Sequence, residues 1–102
     1  MRIIVTGGKG FVGKRLITKM MMDHDVYSYD IEDGQDIRNL HDLDKFFEYI
    51  QPQCVIHLAA RTGVRRSVDH PHEYLTTNVE GTWNVGKMCE QYGCRLISFS
   101  TA

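Results

Sequence analysis

A glycine-rich loop between an apolar run and a helical pattern constrains this chain more than any other feature. The apolar residues of RIIVT (residues 2–6) are contiguous, as in a buried parallel strand, and GGKGFVG follows directly. Gly7 permits a sharp turn at positive φ, Gly10 lets a ligand approach the backbone, and Gly13 lets the following helix pack closely on the sheet. The loop therefore predicts a place where a large anionic group meets the start of a helix.

The rest of the chain alternates strand and helix patterns. Apolar residues recur at helical spacing from Leu40 to Ile50, Pro52 ends that pattern, and Cys54 opens another apolar run. Gly93 is placed to end a later, longer helix in the left-handed conformation. We predict strands at 2–6, 25–30, 36–37, 54–60 and 95–100, with helices at 11–22, 40–50 and 73–92. This order predicts a single α/β domain over residues 1–102, with a parallel sheet of about five strands and helices on both faces.

An acidic residue at the end of the second predicted strand narrows the choice of ligand. Asp30 lies 17 positions after Gly13, and an acid placed in this way is typical of dinucleotide sites, where it accepts hydrogen bonds from the adenosine ribose. A carboxylate there also repels a 2′-phosphate, so we expect NAD rather than NADP. The alternative is a glycine-rich turn beside a surface aspartate, with no ligand.

Composition and charge exclude several classes of protein. The 102 residues carry a formal net charge of -1, so no basic face for nucleic acid is expected. No apolar stretch is long enough to span a bilayer, and we expect no membrane partner. The three cysteines form no CxxC motif, which favours a reducing cytoplasm over a disulfide scaffold. His70 and His72 lack neighbours at the spacing of zinc ligands, so we expect no metal.

Five motifs in order resemble those of the extended short-chain dehydrogenase/reductases, in particular the nucleotide-sugar epimerases and dehydratases of the UDP-glucose 4-epimerase type. The motifs are TGGKGFVG at residues 6–13, DIRN at 36–39, HLAA at 57–60, PHEYLTTNVEGTWNV at 71–85 and LISFSTA at 96–102. The resemblance implies a partial Rossmann fold, a doubly wound parallel sheet that binds NAD. It further implies that residues 1–102 are the N-terminal portion of such an enzyme, and that the domain binding the nucleotide-sugar lies outside them.

The resemblance also assigns roles to the residues that match these motifs. Thr101 occupies the place of the catalytic Ser or Thr, which would hydrogen-bond the sugar, and Asn78 would tie the long helix to its neighbours. Asp36 would hydrogen-bond along the adenine; the alternative is that it only caps the turn before the 40–50 helix. The implied NAD contacts, together with the loop glycines, are Gly7, Gly10, Phe11, Val12, Gly13, Asp30, Asp36, Ile37, Leu58, Ala59, Ala60 and Thr77.

One feature of the family does not occur in these residues: the Tyr-x-x-x-Lys pair expected after the Thr101 strand. A tyrosine with an ordinary pKa of about 10 acts as a base near neutral pH only beside positive charge. None of the five tyrosines has a lysine four positions later, so we expect the chain alone to bind NAD without turning over substrate. Two alternatives stay open: a free-standing, non-catalytic nucleotide-binding or regulatory module, and a keto-sugar reductase of the same family that prefers NADPH.

The last predicted strand has no neighbour on one side. In the usual strand order of such folds, the strand at 95–100 becomes an edge of the sheet. Unpaired strand edges favour pairing with another chain. We therefore expect either self-association through this edge or marginal stability.

Overall fold

The computed structural model of the chain describes residues 1–59, 72 and 76–99. Within these ranges, strands and helices alternate in the predicted order. The strands are β1 (Arg2–Thr6), β2 (Asp25–Tyr29), β3 (Cys54–His57) and β4 (Arg95–Ser98). The α-helices are α1 (Phe11–Met20), α2 (Leu40–Ile50) and α3 (Thr82–Tyr92), with a 3₁₀ turn at Ile31–Asp33 and a π-helical segment at Thr76–Gly81.

The four strands form one parallel sheet in the order β2-β1-β3-β4. Ile4 of β1 pairs with Tyr27 of β2 on one side and with Val55 of β3 on the other. Val55 pairs onward with Leu96 of β4. The second strand is therefore added on one side of β1, and β3 and β4 are then added on its other side. In open parallel sheets, ligands bind at the carboxyl ends of the strands where this reversal occurs, which here is the end of β1.

Helices cover both faces of the central strands. Ile4 and Val55 face a core formed with α2 and α3, whereas Val5 and Ile56 face a second core formed with α1. Because β1 and β3 are buried on both sides, their apolar residues are contiguous rather than alternating. The parallel sheet with helices on both faces confirms the predicted doubly wound α/β class.

The predicted short strand at 36–37 is wrong. After Asp30 the chain enters the 3₁₀ turn, and Gly34 reverses its direction in the left-handed conformation, with a φ of 76°. The amide of Gln35 then donates to the carbonyl of Asp30 at 3.1 Å. Because these residues close a local turn, Ile37 enters the core from a turn rather than from a strand. The described residues therefore form four strands instead of about five.

The helix predicted at 73–92 consists of two kinds of helix in its described part. The segment Thr76–Gly81 is π-helical and α3 follows it, ending at Gly93 with a φ of 66°, as predicted. Apolar spacing near 3.6 residues does not distinguish a π-helical turn from an α-helix. Four predicted elements extend too far, since α1 ends at Met20, β2 at Tyr29, β3 at His57 and β4 at Ser98.

Some of the predicted site lies outside the described residues, namely Ala60, Thr101 and the segment 60–71 that contains His70. Within the described ranges, none of the helices is both long and apolar enough to cross a bilayer. The same part of the chain contains no group of three or more His, Cys, Asp or Glu side chains that could hold a metal ion.

Candidate functional site

Gly7 makes the turn that leaves β1. Its φ of 72° lies in the left-handed region, as predicted for this sharp turn, and its amide donates to the carbonyl of Tyr29 at 2.9 Å. A Cβ on Gly7 would stand 2.8 Å from the carbonyl carbon of Leu58 and 3.0 Å from the Cα of Ala59. The loop therefore lies directly against the segment that follows β3, and only glycine fits there without strain.

In the described part of the chain, no side chain caps the first turn of α1 with a hydrogen bond. Gly10 is the N-cap residue and provides no side-chain acceptor for the first amides. Among the described residues, a Cβ on Gly10 would contact only the carbonyl oxygen of Gly7, at 3.3 Å. Phe11 and Val12 beside it are 75% and 54% exposed. Free amides at the positive end of a helix dipole, with open space before them, form a place for an anion.

Gly13 and Gly8 hold the loop against α1. A Cβ on Gly13 would stand 2.8 Å from the Cα of Gly8. The close approach that Gly13 permits is therefore between the helix and the loop, rather than between the helix and the sheet as we expected. A Cβ on Gly8 would stand 2.8 Å from both Ile17 and Ser28. Gly8 is thus a second packing glycine, which the motif spacing did not single out.

Asp30, directly after β2, anchors the glycine loop. The residue is 6% exposed, and its two carboxylate oxygens accept from the amides of Lys9 and Glu32, each at 2.9 Å. The Asp30 amide donates to the side chain of Gln35 at 3.1 Å. A carboxylate offers about four lone-pair positions, so each oxygen retains capacity to accept from a ligand. On the surface beside it, the Lys9 ammonium lies 2.5 Å from Asp33, and this hydrogen bond raises the pKa of Lys9.

Asp36 lies in the turn before α2 and holds that turn. Its carboxylate accepts from the Arg38 amide at 2.9 Å and pairs with the Arg38 guanidinium at 2.6 Å. This is the structural role considered above as the alternative for Asp36. The helix itself is capped by Asn39, whose side chain accepts from the Asp42 amide at 3.1 Å. The sequence Asn-Leu-His-Asp at residues 39–42 indicates such a cap, although we did not assign it from the sequence.

Ile37 and Thr77 are both buried, but they differ in what surrounds them. Ile37 is 4% exposed and packs beneath Gly81, where a Cβ would stand 2.5 Å from the Cδ1 atom of Ile37. Thr77 is 7% exposed, and its hydroxyl has no hydrogen-bond partner among the described residues. Because a buried hydroxyl without a partner costs free energy, Thr77 is a natural contact for a polar group of a ligand.

Three polar side chains inside the fold hold the segment after β3. The Thr6 hydroxyl accepts from the amides of Leu58 and Ala59, at 3.0 and 3.3 Å. His57 links Thr6 to Thr82 of α3, with Nδ1 2.6 Å from the Thr6 hydroxyl and Nε2 2.9 Å from the Thr82 hydroxyl. Burial lowers the pKa of His57. The sequence contained a signal for this group, because Thr6 and His57 are polar residues at the ends of two apolar runs.

Asn84 ties α3 to the turn that contains Ile37. Its side-chain amide donates to the carbonyl of Ile37 at 3.0 Å and to that of Arg38 at 3.2 Å. This is the kind of tie that we expected of Asn78, six residues earlier in the chain. The position of the 36–39 motif is thus fixed from α3, and the residue that fixes it was not predicted.

The structure brings most of the predicted residues to one edge of the sheet. The glycine loop follows β1, Asp30 follows β2, and Leu58 and Ala59 follow β3. Because the strands are parallel, these carboxyl ends lie side by side. The open first turn of α1 faces this edge of the sheet, beside an acidic side chain with free acceptor capacity.

The sequence of this chain matches a protein-family model. Residues 3–102 match the model described as the NAD dependent epimerase/dehydratase family. The chain belongs to that family. Membership confirms the resemblance inferred from the five motifs, and it agrees with the parallel sheet and the glycine loop described above.

Individual relatives share the sequence over almost all of this chain. A UDP-glucose 4-epimerase from Mycolicibacterium smegmatis is 31% identical over 95% of the chain and 37% of its own length. A dTDP-glucose 4,6-dehydratase from Salmonella typhimurium is 28% identical over 94% of the chain and 33% of its own length. The crystal structure of Thermus thermophilus UDP-glucose 4-epimerase in complex with NAD superposes with a TM-score of 0.88, at 28% identity, over 94% of this chain and 36% of that one. The chain thus spans about a third of the length of the curated relatives it matches.

Proposed function

We propose that residues 1–102 are the NAD-binding part of a nucleotide-sugar epimerase or dehydratase. The observation that carries this proposal is the uncapped start of α1, where Gly10 leaves open space in front of the first amides. Family membership supports NAD as the dinucleotide. The structurally similar Thermus thermophilus enzyme is a complex with NAD, which supports the same choice.

The residues present fit NAD on three observations. The first turn of α1 has amides and open space for a diphosphate, because Gly10 has no side chain. Asp30 has unused acceptor positions for ribose hydroxyls, and the Thr77 hydroxyl is buried without a partner among the described residues. We propose that Phe11, Val12 and Gly13 present their amides to the diphosphate. The further contacts we propose are Gly7, Gly10, Asp36, Ile37, Leu58, Ala59, Ala60 and Thr77.

We propose that the reaction requires the whole protein and that residues 1–102 alone do not carry it out. NAD, when bound, accepts a hydride from the sugar and returns it, which is the chemistry behind transient oxidation. We propose that Thr101 hydrogen-bonds the sugar there. Residues 1–102 contain no Tyr-x-x-x-Lys pair, so we propose that by themselves they bind NAD and do not turn over a nucleotide-sugar. Mixing the chain with NAD and UDP-glucose should give no product, and product formation would contradict this part of the proposal.

Calorimetric titration of the purified chain with NAD tests the proposed site. Gly10→Ala places one methyl group in the space proposed for the diphosphate, and we expect it to weaken NAD binding by about tenfold or more, the loss typical of one or two good hydrogen bonds. Gly86→Ala in α3 is the matched control, because a Cβ there meets no described atom within 4 Å. Equal affinity in wild type and both variants would place the diphosphate elsewhere.

The choice between NAD and NADP separates the two enzyme hypotheses. We propose that Asp30 faces the adenosine ribose, where its negative charge disfavours a 2′-phosphate. We therefore expect tighter binding of NAD than of NADP in the same titration. Tighter binding of NADP would favour the keto-sugar reductase instead.

We further propose that the chain is cytoplasmic and self-associates through β4. Its three cysteines are free, which suits a reducing compartment. Ile97 and Phe99 are 41% and 51% exposed at the sheet edge, where a second chain can pair. Sedimentation velocity over a concentration series tests the association, and a monomer at all concentrations would contradict it.

A further inference from the structure

The hydrogen bonds around Thr6 determine where the protons of His57 are. A threonine hydroxyl can donate once and accept twice. The Thr6 hydroxyl oxygen accepts from the Ala59 amide at 3.3 Å, and it shares the Leu58 amide, at 3.0 Å, with the main-chain carbonyl of Thr6, also at 3.0 Å. Two N–H groups therefore point at the hydroxyl oxygen. Its own proton is left for the remaining neighbour, the Nδ1 atom of His57, which lies 2.6 Å away.

The hydrogen bonds at Thr6 also indicate which nitrogen of the His57 ring carries the hydrogen. When Nδ1 accepts the hydrogen bond of the Thr6 hydroxyl, a neutral His57 carries its hydrogen on Nε2. The Nε2 atom lies 2.9 Å from the Thr82 hydroxyl of α3, to which it donates. His57 is 2% exposed, and burial lowers its pKa, so the neutral ring is the form that this environment favours.

The chain of bonds joins three elements to the edge of the sheet described above. Thr6 is the last residue of β1, His57 is the last residue of β3, and Thr82 is the first residue of α3. The two amides at the end of the chain belong to Leu58 and Ala59, the segment that stands against Gly7. The bonds through His57 and Thr6 thus connect Thr82 to the segment beside the glycine loop.

We propose that His57 is a positioning residue for the cofactor: its Nε2–H tautomer, held between Thr82 and Thr6, keeps the Leu58 and Ala59 amides in place beside the glycine loop. This proposal rests on the proposed function, because it is NAD that those residues would contact. His57 itself does not reach the ligand in this role. It acts by orienting the Thr6 hydroxyl so that both of its acceptor positions face the two amides.

The test combines imidazole spectroscopy with NAD titration of the full chain. Two-bond proton–nitrogen spectra distinguish the two neutral tautomers and the charged ring, and His57→Gln identifies the His57 signals by their loss. Thr82→Val removes the acceptor for Nε2 with little change in volume, whereas Thr82→Ser keeps the hydroxyl and serves as the matched control. Amide spectra of the same samples report the positions of Leu58 and Ala59 directly.

We expect the Nε2–H tautomer in wild type and in Thr82→Ser. In Thr82→Val we expect a second tautomer, shifted amide signals for Leu58 and Ala59, and NAD binding weakened about threefold to tenfold, which corresponds to one neutral hydrogen bond. An Nδ1–H or charged ring in wild type at neutral pH overturns the proposal. So does a Thr82→Val variant with unchanged tautomer and unchanged affinity.

The outcomes for the two proposals remain separate. If the wild-type chain binds no NAD, the proposed function fails, while the tautomer and the amide signals still test the bonds among Thr6, His57 and Thr82. If Thr82→Val does not fold, the wild-type tautomer decides, because the proposal requires Nε2–H there. NAD binding with the opposite tautomer would retain the proposed function and overturn the positioning role.

Discussion

The centre and the edge of the sheet differ in how completely they are covered. In β1 every residue after Arg2 is buried, and in β3 all four residues are buried. In β4 all four residues are exposed, although β4 pairs with β3 in the same parallel register. Backbone pairing alone therefore does not bury a strand, and coverage by helices on both faces does.

The difference in coverage indicates which strands hold the candidate site in place. The glycine loop and the segment after β3 follow the covered strands β1 and β3, whereas Asp30 follows β2, the partly buried strand at the other edge of the sheet. The β4 edge contributes none of the contacts described above for the glycine loop. We therefore expect changes at the centre to affect both folding and NAD binding, and changes at the edge to affect mainly association.

The largest effect should come from the core beneath α2. Phe47 is fully buried, and we expect Phe47→Ala to lower the free energy of unfolding by about 3–5 kcal/mol, from lost burial and the cavity left behind. Phe99→Ala, at the end of β4 and 51% exposed, should change it by about 0.5 kcal/mol or less. Urea denaturation measures both. Similar losses in the two variants would mean that the edge is as well packed as the centre.

Two glycines with the same backbone conformation offer a second test of the comparison. Gly34 has a φ of 76°, and a Cβ there would have no described atom within 4 Å, so Gly34→Ala should cost about 1 kcal/mol of stability from backbone strain alone. Gly7 has a φ of 72°, but its Cβ would meet the Leu58 backbone at 2.8 Å. Gly7→Ala should therefore cost about 1–3 kcal/mol more, the usual range for overpacking.

NAD titration of Gly7→Ala and Gly34→Ala gives a further comparison of the two positions. We expect Gly7→Ala to abolish measurable binding, because the loop cannot keep its position against Leu58 and Ala59. Gly34→Ala should retain the affinity of the wild type. The same loss of stability in both variants would show that the Leu58 contact relaxes without cost.

A charge on the edge strand should change association more than stability. Ile97 is 41% exposed on β4, and a lysine there disfavours pairing between edges. We expect Ile97→Lys to shift the chain to monomer in sedimentation velocity, with a stability change of about 0.5 kcal/mol or less. Tyr49→Lys on α2 is the control, since Tyr49 is 85% exposed and away from the edge. An equal effect of both variants would place the contact elsewhere.

The smallest effect should be the pH dependence from His57. Burial lowers its pKa from the ordinary value of 6.5, so the unfolded chain takes up a proton at a higher pH than the folded chain does. The stabilisation from neutral His57 is therefore complete above about pH 6.5 and is lost as the pH falls below it. Urea midpoints measured between about pH 7 and pH 5 should show this slope, and His57→Gln should flatten it. An unchanged slope in His57→Gln would assign the pH dependence to other groups.

The sequence predicted the parts of this fold that depend on local patterns. The four observed strands, the helix Leu40–Ile50 and the left-handed Gly93 follow from apolar runs, helical spacing and one glycine. The positive φ of Gly7 was also predictable, because a sharp turn after a buried strand requires it. Such features depend on neighbours in the chain, which the sequence displays directly.

The features that were not predicted depend on contacts between distant residues. Asn84 donates to carbonyls 47 and 46 positions earlier, and Thr6 bonds to His57 across 51 positions. The strand expected at 36–37 failed for a related reason. A 3₁₀ turn fixed by the Asp30 side chain and Gly34 uses the residues that would lead into the sheet. Spacing alone does not reveal which of two competing local structures the tertiary contacts favour.

The position of Asp30 limits how the cofactor preference of this protein can evolve. Its carboxylate holds the amides of Lys9 and Glu32, and the same carboxylate is the one proposed to disfavour a 2′-phosphate. A mutation that removes the negative charge also removes at least one acceptor for these amides, so in the proposed site a gain for a phosphorylated nucleotide is offset by a weaker hold on the glycine loop. A lineage moving toward NADP must first acquire another acceptor for these two amides. In the proposed site, the preference for NAD and the shape of the glycine loop therefore depend on the same side chain.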